Sequence, residues 1–298
     1  MGADAIALRA LAFGKRLGLL DFDKTVTLGR QEILFSPADY DQLVARCPGC
    51  LPRAASTDGF LEPVLQSLGA SVVESVDASG YEGASIVADF NQPLDSQHHG
   101  RFTCFIDFGT MEHIFDVRRV LLNLNKLLAP YGTALIVTNA NGFVGHGFYQ
   151  FSPELFYSCL SAPNGFSESK VFLVDCHRSR RWHYVHSPSL LRTRNHAPYD
   201  RQFYVLCFTR KTADVDEIRA QQSDYVSAWQ HPGHRHYVAT RGTVKFLKRL
   251  LGPALYEIGR RAHWRLRAPD RRIFSAQTVC FDPERITVDE FTQMTRSN

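Results

Sequence analysis

A run of strand-like segments between residues 70 and 138 constrains the fold of this chain more than any other feature. Three short β-rich stretches in this run end at or near an acid, and these acids are Asp77, Asp89 and Asp107. A helical stretch, a glycine turn and another β-rich stretch follow. Because the carboxyl ends of parallel strands share one edge of an open α/β sheet, the run predicts a nucleoside-binding edge.

Each of these acids has a specific expected role. Asp77, after the second predicted strand, can accept hydrogen bonds from both hydroxyls of a ribose. Asp89, after the third, can accept from an adenine amino group, and the ring of Phe90 can lie beside the purine. A single Asp after a strand more often only starts a turn, but acids after three strands favour a nucleoside pocket.

Apolar periodicity predicts an α/β domain over residues 1–212. Because strands and helices alternate at these lengths, the sheet is expected to be mainly parallel with helices on both faces. The predicted strands are 24–28, 72–76, 85–88, 102–106, 134–137, 170–174 and 203–208. The predicted helices of the domain are 3–19, 59–68, 116–128 and 153–160.

The composition is that of a globular protein, with 44% hydrophobic and 21% charged residues and a formal net charge of +4. So small an excess of positive charge does not predict nucleic acid as a partner. No stretch approaches the ~18 apolar residues of a membrane span. The first residues also lack the apolar core of a secretion signal. Together these observations predict a cytoplasmic protein.

The seven cysteines are expected to be structural or incidental. Cys104, Cys159 and Cys207 lie in apolar runs, where a thiol behaves as a small hydrophobe. Cys47 and Cys50 form a CPGC that could be half a zinc site or a redox pair. Since no second pair accompanies it and Pro-Gly is also a turn signal, no metal site is predicted.

The segment after the fourth predicted strand resembles the class I S-adenosylmethionine-dependent methyltransferases, especially those that act on small molecules. Members carry a stretch similar to LEHxxD, then a helix and an LKPGG turn; this chain has MEHIFD at 111–116 and LLAPYG at 127–132. An Asn164-Gly165-Phe166 stretch before the sixth predicted strand also fits. The resemblance covers roughly residues 20–212. It implies a Rossmann-like seven-stranded sheet, with S-adenosylmethionine as cofactor.

The resemblance also implies which residues contact the cofactor. Asp77 would bind the ribose and Asp89 the adenine, and the stretch from Asp107 to Glu112 would lie along the cofactor's edge. The residues implied in this way are Asp77, Ala78, Asp89, Phe90, Asp107, Phe108, Gly109 and Glu112.

The chain departs from the family in the loop after the first predicted strand. Family members have an acidic residue and a Gly-x-Gly-x-Gly loop there, which lets the backbone approach the methionine part of the cofactor. This chain has TLGRQE at 27–32, so two glycines are replaced by larger residues. Gly29, Arg30 and Gln31 are still expected to bind the cofactor, the two longer side chains by direct hydrogen bonds.

A glycine-rich segment at 142–153, GFVGHGFYQFSP, follows the fifth predicted strand. His146 can act as a general base, because the unperturbed pKa of histidine, about 6.5, suits proton removal at neutral pH. Tyr149 can orient a hydroxyl. A solvent-facing histidine with aromatic residues packed on the core is an equally open interpretation. His113 is a second candidate base, although packing against the cofactor would also explain it.

A basic segment lies between the last two predicted strands, at residues 177–196. Guanidinium groups bind phosphate or carboxylate in a bidentate manner. Arg178, Arg180 and Arg181 are therefore candidates for binding an anionic acceptor. A solvated basic loop is the alternative for any one of them.

Residues 213–298 are predicted to form a helical, basic C-terminal extension, with helices at 214–229 and 241–264. The second helix is amphipathic and rich in Lys and Arg. It could lie on an anionic membrane surface, contact nucleic acid, or pack its apolar side on a core, another subunit or a protein partner. A Gly252-Pro253 pair interrupts it and weakens the membrane interpretation.

The leading hypothesis is methyl transfer from S-adenosylmethionine to a small-molecule or glycan-linked acceptor, with O-methylation favoured. The alternative is a methyltransferase-like binding or assembly subunit with little or no activity, which the altered glycine loop and the basic extension favour. Use of the cofactor for different chemistry is a third possibility.

Overall fold

The structure is a computed structural model and describes residues 2–51, 59–198, 201–230, 252 and 274–296. The strands are β1 Gly2–Ala3, β2 Lys24–Leu28, β3 Glu32–Ile33, β4 Val72–Asp77, β5 Ile86–Val87, β6 Phe102–Phe108, β7 Leu128–Asn141, β8 Phe166–Asp175, β9 Trp182–Val185, β10 Phe203–Lys211 and β11 Thr278–Phe281. The helices are α1 Ala5–Arg16, α2 Pro37–Arg46, α3 Glu62–Ser67, α4 Val117–Leu127, α5 Pro153–Cys159, α6 Pro188–Leu191, α7 Ser223–Gln230 and α8 Val288–Thr295.

Nine of these strands form one sheet, in the order β11-β9-β8-β10-β7-β6-β2-β4-β5. The strands β5, β4, β2, β6 and β7 are parallel to one another, whereas β10, β8, β9 and β11 pair in antiparallel fashion. The strand order reverses between β2 and β6, as in doubly wound sheets. The predicted Rossmann-like α/β fold is confirmed, with nine strands in the sheet rather than seven.

The central strands are buried on both faces, and their side chains alternate between two hydrophobic clusters. In β6, Cys104 and Ile106 belong to the cluster under α1, while Phe105 belongs to the cluster under α4 and α5. Phe13 of α1 packs against Phe172 of β8, with ring centroids 5.8 Å apart. Helices therefore cover both faces of the sheet, as predicted.

Local signals set the ends of several helices. Asp116 caps α4 by accepting a hydrogen bond from the backbone N–H of Arg119, at 2.9 Å. The predicted turn at 130–132 does not separate this helix from the next strand, because β7 begins at Leu128, directly after α4. The predicted helix at 59–68 is shorter, spanning Glu62–Ser67. Thr57 and Asp58, either of which can cap a helix that starts here, lie outside the described residues.

Helix α2 is not among the predicted helices of the domain. Ser36 and Asp39 form a capping box, in which each side chain binds the other's backbone N–H. Tyr40 and Leu43 of this helix are buried in the core. Cys47 and Cys50, just after it, form a disulfide with each other.

The helix predicted at 214–229 is wrong in its first half, because only Ser223–Gln230 is helical. Side chains of the neighbouring elements bind the backbone of the preceding segment instead. Asn125 donates to the carbonyl of Ala213 at 3.0 Å and accepts from the N–H of Val215 at 3.1 Å. These tertiary hydrogen bonds satisfy backbone groups that a helix would otherwise pair.

The described end of the chain adds a strand that was not predicted. Strand β11 pairs with β9 at the edge of the sheet, and Phe291 of α8 packs against Phe13, with ring centroids 5.3 Å apart.

The domain boundary at residue 212 remains a prediction. The basic helix predicted at 241–264, and any contact it makes, lies outside the described residues. In the described part of the chain, no helix is long and apolar enough to cross a membrane; the cytoplasmic location remains a prediction.

His183 on β9 is expected to make the protein less stable at acidic pH. Burial, assisted by the charge of Arg181, lowers the pKa of this imidazole to about 4, against about 6.5 in the unfolded chain. Between these two values the unfolded state binds more protons, so stability is lost as the pH falls through this window. After allowance for partial exposure, we expect a loss of about 2 kcal/mol.

Urea unfolding of the wild type and the His183→Gln variant at pH 7 and at pH 4.5 measures this effect. The variant lacks the titrating group and should lose less stability on acidification. Equal losses in both proteins would show that other groups cause the acid sensitivity.

Candidate functional site

The reversal of strand order between β2 and β6 locates the candidate site, because ligands of open α/β sheets bind beyond the carboxyl ends of the strands at such a point. Glycines with left-handed backbone follow both strands: Gly29 after β2, with φ +71°, and Gly109 after β6, with φ +82°. Asp77 is the last residue of β4, the neighbour of β2. Three of the predicted cofactor-binding segments thus meet at one edge.

The acids predicted to bind the nucleoside lie at neighbouring positions on this edge. Asp77 is half-buried, and its Oδ1 accepts a hydrogen bond from the N–H of Ser79, at 3.2 Å. Asp89 follows β5 and is exposed; hydrogen bonds from the backbone and side chain of Asn91 lower the pKa of its carboxyl. Ala78 is exposed, whereas the ring of Phe90 is 3% exposed and packs in the core. The structure therefore leaves Phe90 away from the exposed edge.

The loop after β2 stands where the family has its glycine loop. Its own side chains hold it in place. The guanidinium of Arg30 donates to Glu62 at 2.7 Å and to the carbonyl of Glu82 at 2.7 Å, and it lies 3.8 Å from the centroid of the Phe60 ring. Arg30 thus joins the loop to two neighbouring segments.

Gln31 points inward and is 1% exposed. Its Nε2 donates to the carbonyl of Leu28 and to Oγ1 of Thr110, whereas no group in the described part of the chain binds its buried Oε1. A Cβ on Gly29 would lie 2.8 Å from Oγ1 of Thr110. Glycine at position 29 is therefore required by its φ and by the proximity of Thr110.

Two buried carboxyl groups follow β6. Asp107 is fully buried and accepts from the N–H groups of Thr110 and Met111, at 2.8 and 3.3 Å. Burial, followed by repulsion from the nearby Glu112, raises the pKa of Asp107 well above its ordinary value. Glu112 is 1% exposed, and its Oε2 accepts from the hydroxyl of Thr138 on β7, at 2.8 Å.

The glycine-rich segment after β7 folds back onto the turn that carries Glu112. The N–H of Phe148 donates to the carbonyl of Glu112, at 2.7 Å. This contact brings Nε2 of His146 to 3.9 Å from Oε1 of Glu112. The rings of His146 and His113 meet edge to face, with centroids 5.1 Å apart. Both predicted base candidates therefore lie beside the same carboxylate.

Tyr149, predicted to orient a substrate hydroxyl, binds the protein instead. Its hydroxyl donates to the carbonyl of Phe115, at 2.8 Å, and its ring lies 5.8 Å from that of Phe151. These contacts attach the glycine-rich segment to the segment before α4. We assign Tyr149 a positioning role.

A cavity of about 300 Å³ opens at this edge of the sheet. Its wall includes residues that the sequence analysis did not identify: the N-terminal Asp4, Asn139 at the end of β7, and Tyr204 on β10. Asn139 is 2% exposed, and none of the described residues binds its Nδ2. The sequence signal that could have identified Asn139 is its position as a polar residue at the carboxyl end of a buried strand. The other lining residues are Gly2, Ala7, Leu34, Phe108, Gly109, Glu112, Val137, Thr138 and His146.

The predicted anion-binding arginines do not meet His146. Arg180 and Arg181 line a separate cavity of about 430 Å³ together with Arg46 and Arg285. Arg178 is exposed. The two cavities have no lining residue in common. If the arginines bind an anion, that anion lies outside the cavity that contains His146.

The Gly147→Ala variant is expected to displace the glycine-rich segment. Gly147 has a φ of +76°, and a Cβ there would lie 2.8 Å from the carbonyl oxygen of Glu112. Left-handed backbone and the clash together should lower the free energy of unfolding by about 3 kcal/mol. Urea unfolding measures this loss.

Gly145→Ala is the matched control for this variant. Gly145 has a φ of +87° but no atom within 4 Å of the added Cβ, so only the backbone term applies, about 1 kcal/mol. Equal losses in the two variants would contradict the close approach of Gly147 to Glu112.

Comparison with solved structures finds many similar chains. A didemethyltoxoflavin N-methyltransferase from Burkholderia thailandensis shares 14% identity with a TM-score of 0.36, over 70% of this chain and 79% of that one. An S-adenosylmethionine-dependent methyltransferase from Thermotoga maritima shares 15% identity with a TM-score of 0.35, over 69% and 92%. A phosphoethanolamine N-methyltransferase from Haemonchus contortus shares 12% identity with a TM-score of 0.42, over 69% and 52%. No protein-family model and no curated protein sequence matches the chain. At these identities the likeness concerns the fold alone.

Proposed function

We propose that this protein binds S-adenosylmethionine at the carboxyl edge of β2, β4 and β6 and transfers its methyl group to a small-molecule acceptor. One observation carries the proposal: a cavity with buried polar groups, lined in part by Gly109, opens at the carboxyl edge of the sheet beside the reversal of strand order. Gly29 and Asp77 lie at the same edge, at the ends of β2 and β4. Ligands of open α/β sheets bind at such positions.

The residues at this edge fit an adenosyl cofactor. Asp77 is half-buried and, among the described contacts, its carboxylate accepts only from Ser79, so acceptor capacity remains for ribose hydroxyls. At the loop after β2, the buried Oε1 of Gln31 has no partner among the residues that the structure describes and can accept from an ammonium group such as that of the methionine part. Gly109 and Glu112 line the adjoining cavity.

S-adenosylmethionine supplies an electrophilic methyl group on a sulfonium sulfur. The protein's task is to hold the acceptor atom in line with that group, which accounts for most of the rate in such transfers. The buried Nδ2 of Asn139 is a donor without a partner in the described part of the chain, and it suits an oxygen of the acceptor. This favours O-methylation, in which the acceptor's proton passes to a nearby base such as His146.

The size of the cavity limits the acceptor. A volume of about 300 Å³ lies at the lower end of small-molecule sites. A glycan-linked acceptor would therefore place only its reacting end inside. The arginine-lined cavity can hold an anionic group only on a second, separate part of the acceptor.

A binding or assembly subunit with little activity is the second candidate. It is favoured by the loop after β2, in which the guanidinium of Arg30 and the Nε2 of Gln31 already bind the protein's own groups. Capture of a protein partner through residues 213–298, without cofactor binding, would support this candidate.

Isothermal titration calorimetry of the full-length protein with S-adenosylmethionine and S-adenosylhomocysteine tests the proposal. We expect binding of both ligands in the micromolar range, about −8 kcal/mol. Mass spectrometry of a small-acceptor panel, incubated with methyl-labelled cofactor, then identifies the product. Absence of heat with either ligand would refute the methyltransferase and favour the assembly subunit.

A further inference from the structure

We propose that Glu112, His113 and His146 bind a divalent transition-metal ion at the rim of the cavity. The sequence analysis predicts no metal site, and these three residues lie on two segments that are 33 positions apart. In the described structure they form a cluster in which one ligand atom from each lies within 4.8 Å of the others.

The dimensions of this cluster suit one ion. Metal–ligand bonds of roughly 2.0–2.2 Å put two ligand atoms of one ion at most about 4.3 Å apart. The distance from Oε1 of Glu112 to Nε2 of His146, 3.9 Å, already lies within this limit. Both imidazoles are exposed, so the small inward rotation that the third ligand requires meets no packed core.

The carboxylate ligand is buried and held in one orientation. Glu112 is 1% exposed, and Thr138 binds its Oε2, which leaves Oε1 directed toward the histidines. Hydrogen bonds of this kind from outside the ligand set orient metal ligands and tune their affinity. A buried carboxylate facing two imidazoles is costly without a positive charge nearby. A metal ion supplies that charge.

The backbone holds the two segments of the cluster together. The N–H of Phe148 donates to the carbonyl of Glu112, and Gly147 permits the close approach of the two segments. The path of the backbone, rather than a choice of side-chain rotamer, therefore places His146 beside Glu112.

The donor set indicates the kind of ion. Two imidazole nitrogens and one carboxylate oxygen suit Zn²⁺, Co²⁺, Mn²⁺ or Fe²⁺, whereas Mg²⁺ and Ca²⁺ prefer sites made of oxygen alone. Three protein ligands leave further positions open. Because Glu112 and His146 also line the cavity, an open position faces the space where an acceptor would lie.

The metal site would deepen the proposed methyl transfer, and this part of the inference rests on that function. An acceptor hydroxyl bound to the ion would lose its proton to solvent more readily, and the ion would hold its oxygen in place. His146 would then be a metal ligand rather than the general base that the sequence analysis considers. The two roles exclude each other for the same lone pair.

Cobalt titration of the full-length protein, after treatment with a chelator, tests the site. We expect one equivalent of Co²⁺ to bind and to give the weak visible absorption of nitrogen and oxygen ligands, and Zn²⁺ to displace it. His146→Gln and His113→Gln should each weaken Co²⁺ binding by at least about tenfold. Both side chains are exposed, so thermal unfolding should show that these variants remain folded.

His98→Gln is the control, because His98 is a histidine outside the cluster whose ring contacts Arg101. Its Co²⁺ affinity should equal that of the wild type. Equal binding by His146→Gln, a strong thiolate band from cysteine, or absence of binding by the wild type would each overturn the metal site. Titration of the same variants with S-adenosylhomocysteine separates the two proposals, since loss of metal should leave cofactor binding in place.

Discussion

Replacing Asp77 by alanine is expected to weaken the binding of S-adenosylhomocysteine by about 100-fold, which corresponds to two charge-assisted hydrogen bonds. Asp77 ends β4 beside the reversal of strand order, and its carboxylate is half-buried. A carboxylate there can accept from both ribose hydroxyls, and alanine removes both acceptors. Calorimetry with the product is the preferred measurement, because it needs no knowledge of the acceptor.

Asp95→Ala is the control for this variant. Like Asp77, Asp95 is an aspartate beside a polar loop between strands of the sheet. Unlike Asp77, it is exposed and caps a short turn at Ser96–His98. Its removal should leave the affinity unchanged. If both variants bind like the wild type, the ribose is held elsewhere, whereas loss in both would indicate a general effect of charge.

Replacing Glu284 by alanine is expected to lower the free energy of unfolding by about 3–5 kcal/mol. The side chain of Glu284 is 3% exposed and pairs with Arg9 of α1, at 2.9 Å, and with Arg46 of α2, at 3.2 Å. Its loss removes the carboxylate that binds the buried guanidinium of Arg9 directly. Urea unfolding monitored by circular dichroism measures the difference.

Glu217→Ala removes an exposed ion pair and serves as the control. Glu217 pairs with Arg118 at 2.9 Å, with exposed fractions of 47% and 58% for the two side chains. Such a pair contributes about 0–1 kcal/mol. Losses of similar size in the two variants would contradict a structural role for the buried pair.

The Glu284 pair also connects the end of the chain to the candidate site. Arg9 lies on α1, and Asp4, which caps this helix, lines the cavity. Backbone carbonyls of Pro283 and Ile286 accept from Arg16 of the same helix. Residues near the C-terminus therefore help to hold one wall of the cavity.

The α/β sheet and most of its central strands can be predicted from the amino-acid sequence alone. Strand β2 has the predicted limits of 24–28, and β4 and β6 begin at the predicted residues 72 and 102. Strands buried on both faces appear in the sequence as apolar runs, and amphipathic helices appear as apolar residues at helical spacing. Each element can therefore be predicted from its own residues. The positions of Asp77, Asp89 and Asp107 at strand ends follow from the same runs.

Local signals were insufficient where distant segments decide the structure. Strand β11 pairs with β9 although nearly a hundred residues separate them, and residues 214–222 avoid a helix because Asn125 and Asn164 bind their backbone. The capping box of α2 was a readable signal that the sequence analysis did not use.

Which of the predicted residues lie close to one another is set by the tertiary structure. It separates the arginines of the basic segment from His146, and it brings His146 to Glu112 and His113. The sequence could name each of these residues as reactive, since that depends on chemical type. Their proximity depends on the path of a glycine-rich loop. The hydrogen bond from Phe148 to Glu112 and the close approach of Gly147 help to fix that path, and no local pattern encodes such contacts.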